Sequence, residues 1–369
     1  METPGRLTSL DAFRGITIAG MILVNNPGSW AYVYPPLRHA EWHGCTPTDL
    51  VFPFFLFIVG VAISFSFSKH VSGGADRKQL HLKILKRALI IFGIGLFLNG
   101  FPSFNFGTIR IFGVLQRIAL TYLLASLITL NTRPKGQALF AGCLLLFYWA
   151  VMKLVPVAGF GAGDLSMEGN LATFIDNALF KGHLWKASWD PEGVLSTLPA
   201  TATVLCGVLT GHLLRSKRDK SDIANLIFML GWAGIIAGLV WGIWFPINKG
   251  LWTSSYVLFT AGAALQFLGV CYWLIEVKGW NGWAKPAIVY GMNPLFVFII
   301  SILFVKTIVR IQVAVGGGDT TSLYAWTYRN IFASWLGSMN GSLAFAIANV
   351  LLWLAAAGLL YRKRIFIKV

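Results

Sequence analysis

Apolar runs of roughly 20 residues recur from one end of the chain to the other, separated by short polar segments. At 1.5 Å per residue, each run is long enough to cross the roughly 30 Å hydrocarbon layer of a bilayer. Ten spans are predicted, near residues 10–27, 49–69, 87–101, 110–130, 137–155, 194–214, 223–245, 251–275, 286–305 and 332–360. The runs lack the short apolar–polar alternation of barrel strands, and backbone groups in lipid must be satisfied within their own segment, so helices are expected. The predicted fold is all-α: a polytopic integral membrane bundle of about ten transmembrane helices, read as one domain over residues 1–369. No internal repeat, low-complexity tract or second soluble domain is visible.

Composition agrees with the pattern. Hydrophobic residues make up 56% of the 369 and charged residues 12%, about half the charged fraction of an ordinary soluble domain. The net charge of +16 would point to nucleic acid in a soluble protein, but in a polytopic chain excess Lys and Arg first report topology. With the first helix running outward, the inner segments carry 20 Lys and Arg against 8 in the outer ones. Both termini are therefore expected in the cytoplasm, with membrane lipid and not nucleic acid as surroundings. Cys45, Cys143, Cys206 and Cys271 form no CxxC pair, so neither a disulfide scaffold nor a metal site is expected. The N-terminus shows no small-residue cleavage site, and the first helix is expected to stay.

Two outer loops, 27–48 and 156–193, are long enough to carry a function. The second holds Asp164, Glu168, Asp176, Asp190 and Glu192 with Trp185 and Trp189 interleaved. Carboxylates for hydrogen bonds beside indole faces for stacking suit a hydroxylated or cationic sugar; a solvated loop with interfacial tryptophans is the competing reading. The first loop contains Arg38-His39-Ala40-Glu41-Trp42-His43-Gly44-Cys45-Thr46 and leads through Thr48 and Asp49 into the second helix. An imidazole titrates near neutrality and can take a proton from an attacking amine, or accept an acyl group on nitrogen. Asp49 is first a helix-start residue and secondly a partner able to hold a histidine in one tautomer. Asn25 and Asn26 close the first helix nearby, as ordinary helix stops or as groups that position a substrate.

Arg110 and Arg117 lie seven apart and are expected on one face of the fourth helix. Arginine in a span is costly unless paired or facing a wet cavity, so Arg117 is a site candidate, with an inter-helix ion pair as the alternative. On the opposite side, Arg6, Asp11 and Arg14 begin the first helix, and the tail adds Arg362, Lys363, Arg364 and Lys368. A helix N-terminus flanked by arginines suits phosphate, although such charges also enforce orientation.

These residues resemble the heparan-alpha-glucosaminide N-acetyltransferase family of transmembrane acyltransferases. The resemblance rests on Arg6 to Gly15, His39-Ala40-Glu41-Trp42 with Gly44, Asp49 to Phe52, Arg110 to Arg117, Asp190-Pro191-Glu192-Gly193, Pro246 to Tyr256, Gly291-Met292-Asn293 and Leu360 to Phe366. It implies transfer of acetyl from cytosolic acetyl-CoA to an amino sugar beyond the membrane, with acetyl-CoA as co-substrate and no metal. It assigns the active-site role to His39, maps the family's asparagine to Asn25, and places Arg6, Arg14, Arg110, Arg117 and Lys368 with the coenzyme. Asp49, Trp42, His43, Asp190 and Glu192 are the expected acceptor-side residues. The family often has asparagine where His43 stands, so the resemblance gives His43 no defined role. It further implies a bacterial-type member without the large lumenal domain of the animal enzymes, a small amino sugar as acceptor, the inner membrane with a periplasmic acceptor site, and a homodimer. An amino-sugar permease is the runner-up, and a flippase or scaffold for envelope assembly the third reading.

Overall fold

The computed structural model describes residues 7–72, 76–186, 188–316 and 319–367. In chain order the elements are α1 (Thr8–Asn25), α2 (Val51–Ser72), α3 (Arg77–Gly100), α4 (Val114–Asn131), α5 (Pro134–Leu154), a hairpin of β1 (Pro156–Val157) and β2 (Gly161–Ala162), α6 (Leu171–Phe180), α7 (Thr197–Leu214), α8 (Lys220–Gly242) and α9 (Ser254–Tyr272). There follow α10 (Lys285–Met292), α11 (Pro294–Ile308), an antiparallel pair β3 (Gln312–Gly316) and β4 (Asp319–Ser322), α12 (Leu323–Thr327) and α13 (Ser334–Arg362). Several starts are legible locally. Pro134 occupies the first turn of α5, where its missing N–H costs nothing. Asp76 and Asn170 cap α3 and α6 by accepting backbone N–H groups of Lys78 and Thr173.

The all-α membrane architecture stands, but the span count is corrected. Among the described residues seven helices are long and apolar enough to cross a membrane, or eight if one bent pair is a single span. Three expected spans fall short for local reasons. The first run forms α1, but Asp11 and Arg14 lie within its first two turns. The run at 87–101 is only the second half of α3, whose first half carries Arg77, Lys78, Lys83, Lys86 and Arg87. The run at 286–305 breaks at Asn293, where Pro294 cannot continue the hydrogen-bond ladder of α10, and the flanking segments bend by 71°. The loop 156–193 also holds more structure than its composition suggested, namely the first hairpin and α6.

The chain divides into two compact units. One comprises the residues up to His39, Thr46–Val51 and the chain from Cys271; the other comprises Ala40–Cys45 and Phe52–Val270. In the first, α1 and α10 approach so closely that a Cβ on Gly15 would lie 1.7 Å from the Ala287 carbonyl oxygen, and one on Gly291 2.2 Å from that of Asp11. In the second, α2 and α7 do the same through Gly60 and Gly207. Small residues at helix crossings replace the hydrophobic drive that lipid does not supply.

Candidate active site

In the first unit the chain enters α2 through a 3₁₀ turn, Pro47–Leu50, whose local chemistry builds the site. Asp49 is 1% exposed, and its Oδ2 accepts the Thr46 backbone N–H at 3.0 Å. Its Oδ1 lies 2.6 Å from Nδ1 of His39. A carboxylate oxygen only accepts, so the proton of this contact belongs to Nδ1, and the neutral ring presents a lone pair on Nε2. The imidazole is 46% exposed while its partner is buried, the combination that orients a base yet leaves it reachable.

The loop before it is tied down residue by residue. The Thr46 hydroxyl donates to the Arg38 carbonyl (2.7 Å), that of Thr48 to the Pro36 carbonyl (3.3 Å), and Arg38 Nε to the Val33 carbonyl (2.7 Å). A small apolar crevice runs along the same segment, lined by Leu23, Val24, Pro27, Val33, Leu37 and Ala346. At the end of α1, Asn25 is exposed, whereas Asn26 is buried and donates to the Ile22 carbonyl at 2.7 Å. Asn26 is thus the structural member of the pair, and Asn25 the one facing outward.

The other end of α1 is also built from charge. Arg14 Nη1 donates to Asp11 Oδ1 (3.0 Å) and to the Gly291 carbonyl (3.3 Å), and Glu276 accepts the Ser9 backbone N–H at 3.1 Å. An acid at a helix start balances its partial positive charge; nothing in the sequence pattern marked Glu276 for this. Asn293, fully buried at the helix break, donates to the Ile365 carbonyl and accepts the Ile367 N–H, anchoring the tail that carries the exposed Arg362, Lys363 and Arg364. Arg6 and Lys368 lie outside the described residues.

In the second unit the acidic loop residues have committed partners. Arg110 makes a bidentate pair with Asp190 (2.8 and 2.6 Å) and also bonds Glu192. Asp190 further accepts the backbone N–H groups of Trp185 and Glu192 at 2.9 Å each. Burial opposes the Arg110 charge, but the hydrogen bonds and charges of the two acids outweigh it and hold its pKa above the ordinary value. Arg110 is not on the fourth helix as expected: α4 begins at Val114, after an extended Gly113. Arg117, inside α4 and fully buried, donates to the Gly193 carbonyl and Ser196 hydroxyl and stacks over Trp252 at 5.0 Å. The two arginines therefore grip neighbouring parts of one segment, 190–196, from different backbone contexts. Asp176 makes no hydrogen bond to either arginine but accepts the Val194 N–H at 2.9 Å, and burial pushes its pKa up to about 6.

The same unit holds the aromatic residues. Trp42 donates through Nε1 to the Leu165 carbonyl (2.8 Å) and meets Trp189 edge-on at 5.6 Å; Trp189 meets Trp185 at 5.6 Å. His43 Nδ1 lies 3.3 Å from the side-chain nitrogen of Asn248, a partner that no sequence motif flagged.

Helices long and apolar enough to cross a membrane define the class as a helical membrane protein, in which a buried carboxylate orients an exposed imidazole. The chain belongs to the family described as "Heparan-alpha-glucosaminide N-acetyltransferase, catalytic", whose model matches residues 6–235. It is 29% identical to the human protein named heparan-alpha-glucosaminide N-acetyltransferase, covering 99% of this chain and 60% of that protein. The mouse protein of the same name is 28% identical, with 81% of this chain and 53% of the mouse chain covered. The chain thus spans somewhat over half the length of these relatives.

Proposed function

We propose that the protein is an N-acetyltransferase that takes acetyl from acetyl-CoA on the cytoplasmic side of the inner membrane and delivers it to the amine of glucosamine, or a close relative, on the periplasmic side. The observation carrying this reading is the His39–Asp49 pair, joined to membership of a family whose named relatives are N-acetyltransferases. The amine of an amino sugar, with a pKa of about 7 to 8 like other α-substituted amines, must be deprotonated before it attacks a thioester. His39 Nε2 is the base, held in the accepting tautomer by Asp49. Asn25 positions the substrate or stabilises the oxyanion. Arg6, Arg14 and the tail residues through Lys368 take the coenzyme phosphates. An acetyl-histidine intermediate on His39 is the alternative route to the same product.

Arg110, Asp190 and Glu192 fix the loop that carries Trp185 and Trp189; Arg117 braces the same loop from inside α4. The broken helix at Asn293 equally suits a permease. Purified protein given acetyl-CoA and glucosamine decides between them. Wild type forms N-acetylglucosamine and His39→Ala does not; sugar accumulation in vesicles without acetyl-CoA consumption would instead establish transport.

A further inference from the structure

The two histidines of the His39–His43 stretch are held by opposite chemistry. Asn248 is fully buried, and its amide cannot flip without loss: Oδ1 accepts the Leu251 N–H at 2.8 Å, leaving the NH₂ group facing Nδ1 of His43 at 3.3 Å. An amide NH₂ only donates, so Nδ1 of His43 must accept and the ring proton sits on Nε2.

The turn holding Asn248 is cross-linked on every side. The Asn248 N–H donates to the Thr253 hydroxyl (3.1 Å), which donates to the Pro246 carbonyl (2.9 Å); the Thr253 N–H returns to the Asn248 carbonyl (3.1 Å). Within it Trp252 adopts φ +53°, a left-handed backbone that a bulky side chain rarely tolerates. On the other side, the Gly44 N–H donates to the Ile247 carbonyl at 2.7 Å, pinning the His43 backbone to the same turn. Next to the exposed His43 ring, the half-buried Trp42 offers an indole face fixed by Leu165 and Trp189.

We propose that His43 is a hydrogen-bond donor, locked with its proton on Nε2 by Asn248, that holds a hydroxyl oxygen of the acceptor sugar while Trp42 stacks on the sugar ring, and that it is not a second general base. This deepens the acetyltransferase reading above and rests on it for the identity of the sugar. Protonating His43 would set its Nδ1–H against the Asn248 NH₂, and burial already lowers its pKa, so the ring stays a neutral donor.

The test uses the full-length protein in detergent with ¹⁵N-labelled histidine, the His43 signals assigned by difference with His43→Gln. The expected wild-type ring is the Nε2–H form, its Nε2 resonance shifting when glucosamine is added. His43→Phe raises KM for glucosamine about tenfold, with kcat and the KM for acetyl-CoA nearly unchanged. His43→Gln, whose amide places a donor near the position of Nε2, recovers most of that loss. Asn248→Asp moves the proton to Nδ1 and reproduces the KM defect. An Nδ1–H ring in wild type, or an unchanged glucosamine KM in His43→Phe, overturns the proposal, and neither observation requires the Asn248 variant to fold. Absence of transfer in wild type would remove the acetyltransferase reading alone; the ring tautomer and its response to glucosamine would then still decide this one, an unresponsive ring overturning it.

Discussion

The His39 region and the Arg110 region both contain buried carboxylates, yet spend them differently. Asp49 is directed at an imidazole, with its second oxygen occupied by the backbone of its own turn. Asp190 and Glu192 are directed at a guanidinium, and Asp190 also caps two backbone N–H groups of its own loop. One arrangement orients a half-exposed imidazole; the other clamps a guanidinium to its own loop. What makes a carboxylate part of a candidate active site is therefore the partner it prepares. The count of acids in a loop says little.

Substitutions break this comparison in order of effect. His39→Ala should lower acetyl transfer by about 10²- to 10⁴-fold, the ordinary worth of a general base, with the protein still folded by circular dichroism; retained transfer would remove His39 from the site. Arg110→Ala should act on stability first. It strands Asp190, whose side chain is fully buried, at a cost of about 3 kcal/mol, read as a fall of several degrees in thermal unfolding. An unchanged melting temperature would contradict the bracing role.

Asp49→Asn should reverse the tautomer preference of His39 and reduce kcat on the order of 10²-fold, with little change in melting temperature beside that of Arg110→Ala. A large stability loss with intact kcat would invert the comparison. Asp176→Asn carries the smallest effect and a definite sign. The folded carboxyl titrates at about 6, above its unfolded value, so the protonated form is the one that favours folding and its contribution is lost as pH rises through about 6. The variant should therefore gain about 2 to 3 kcal/mol over wild type at pH 8 and nothing below pH 4, measured by unfolding at both pH values.

Much of this was legible in the chain itself. Apolar run length determined the helical membrane architecture, because any backbone crossing lipid must close its own hydrogen bonds. Residue type and setting marked His39 and Asp49 as candidates: an imidazole in an outer loop, and an acid at the helix start that follows it. Helix ends were less legible. Asp11 and Arg14 sit inside α1 because one charged pair is tolerable where each neutralises the other. Arg110 left the fourth helix because Gly113 is extended, and seven-residue spacing says nothing about where a helix begins.

Asn248 and Glu276 were beyond sequence reading. Each pairs with a residue more than two hundred positions away, and only folding brings such partners together. The sequence by itself determined the solvent, the secondary structure and the types of group available for chemistry, since these depend on runs and neighbours. The tertiary structure alone decided the partner of each ionisable group. That choice made His39 an acceptor and His43 a donor, because a ring's proton goes where its fixed neighbour cannot supply one.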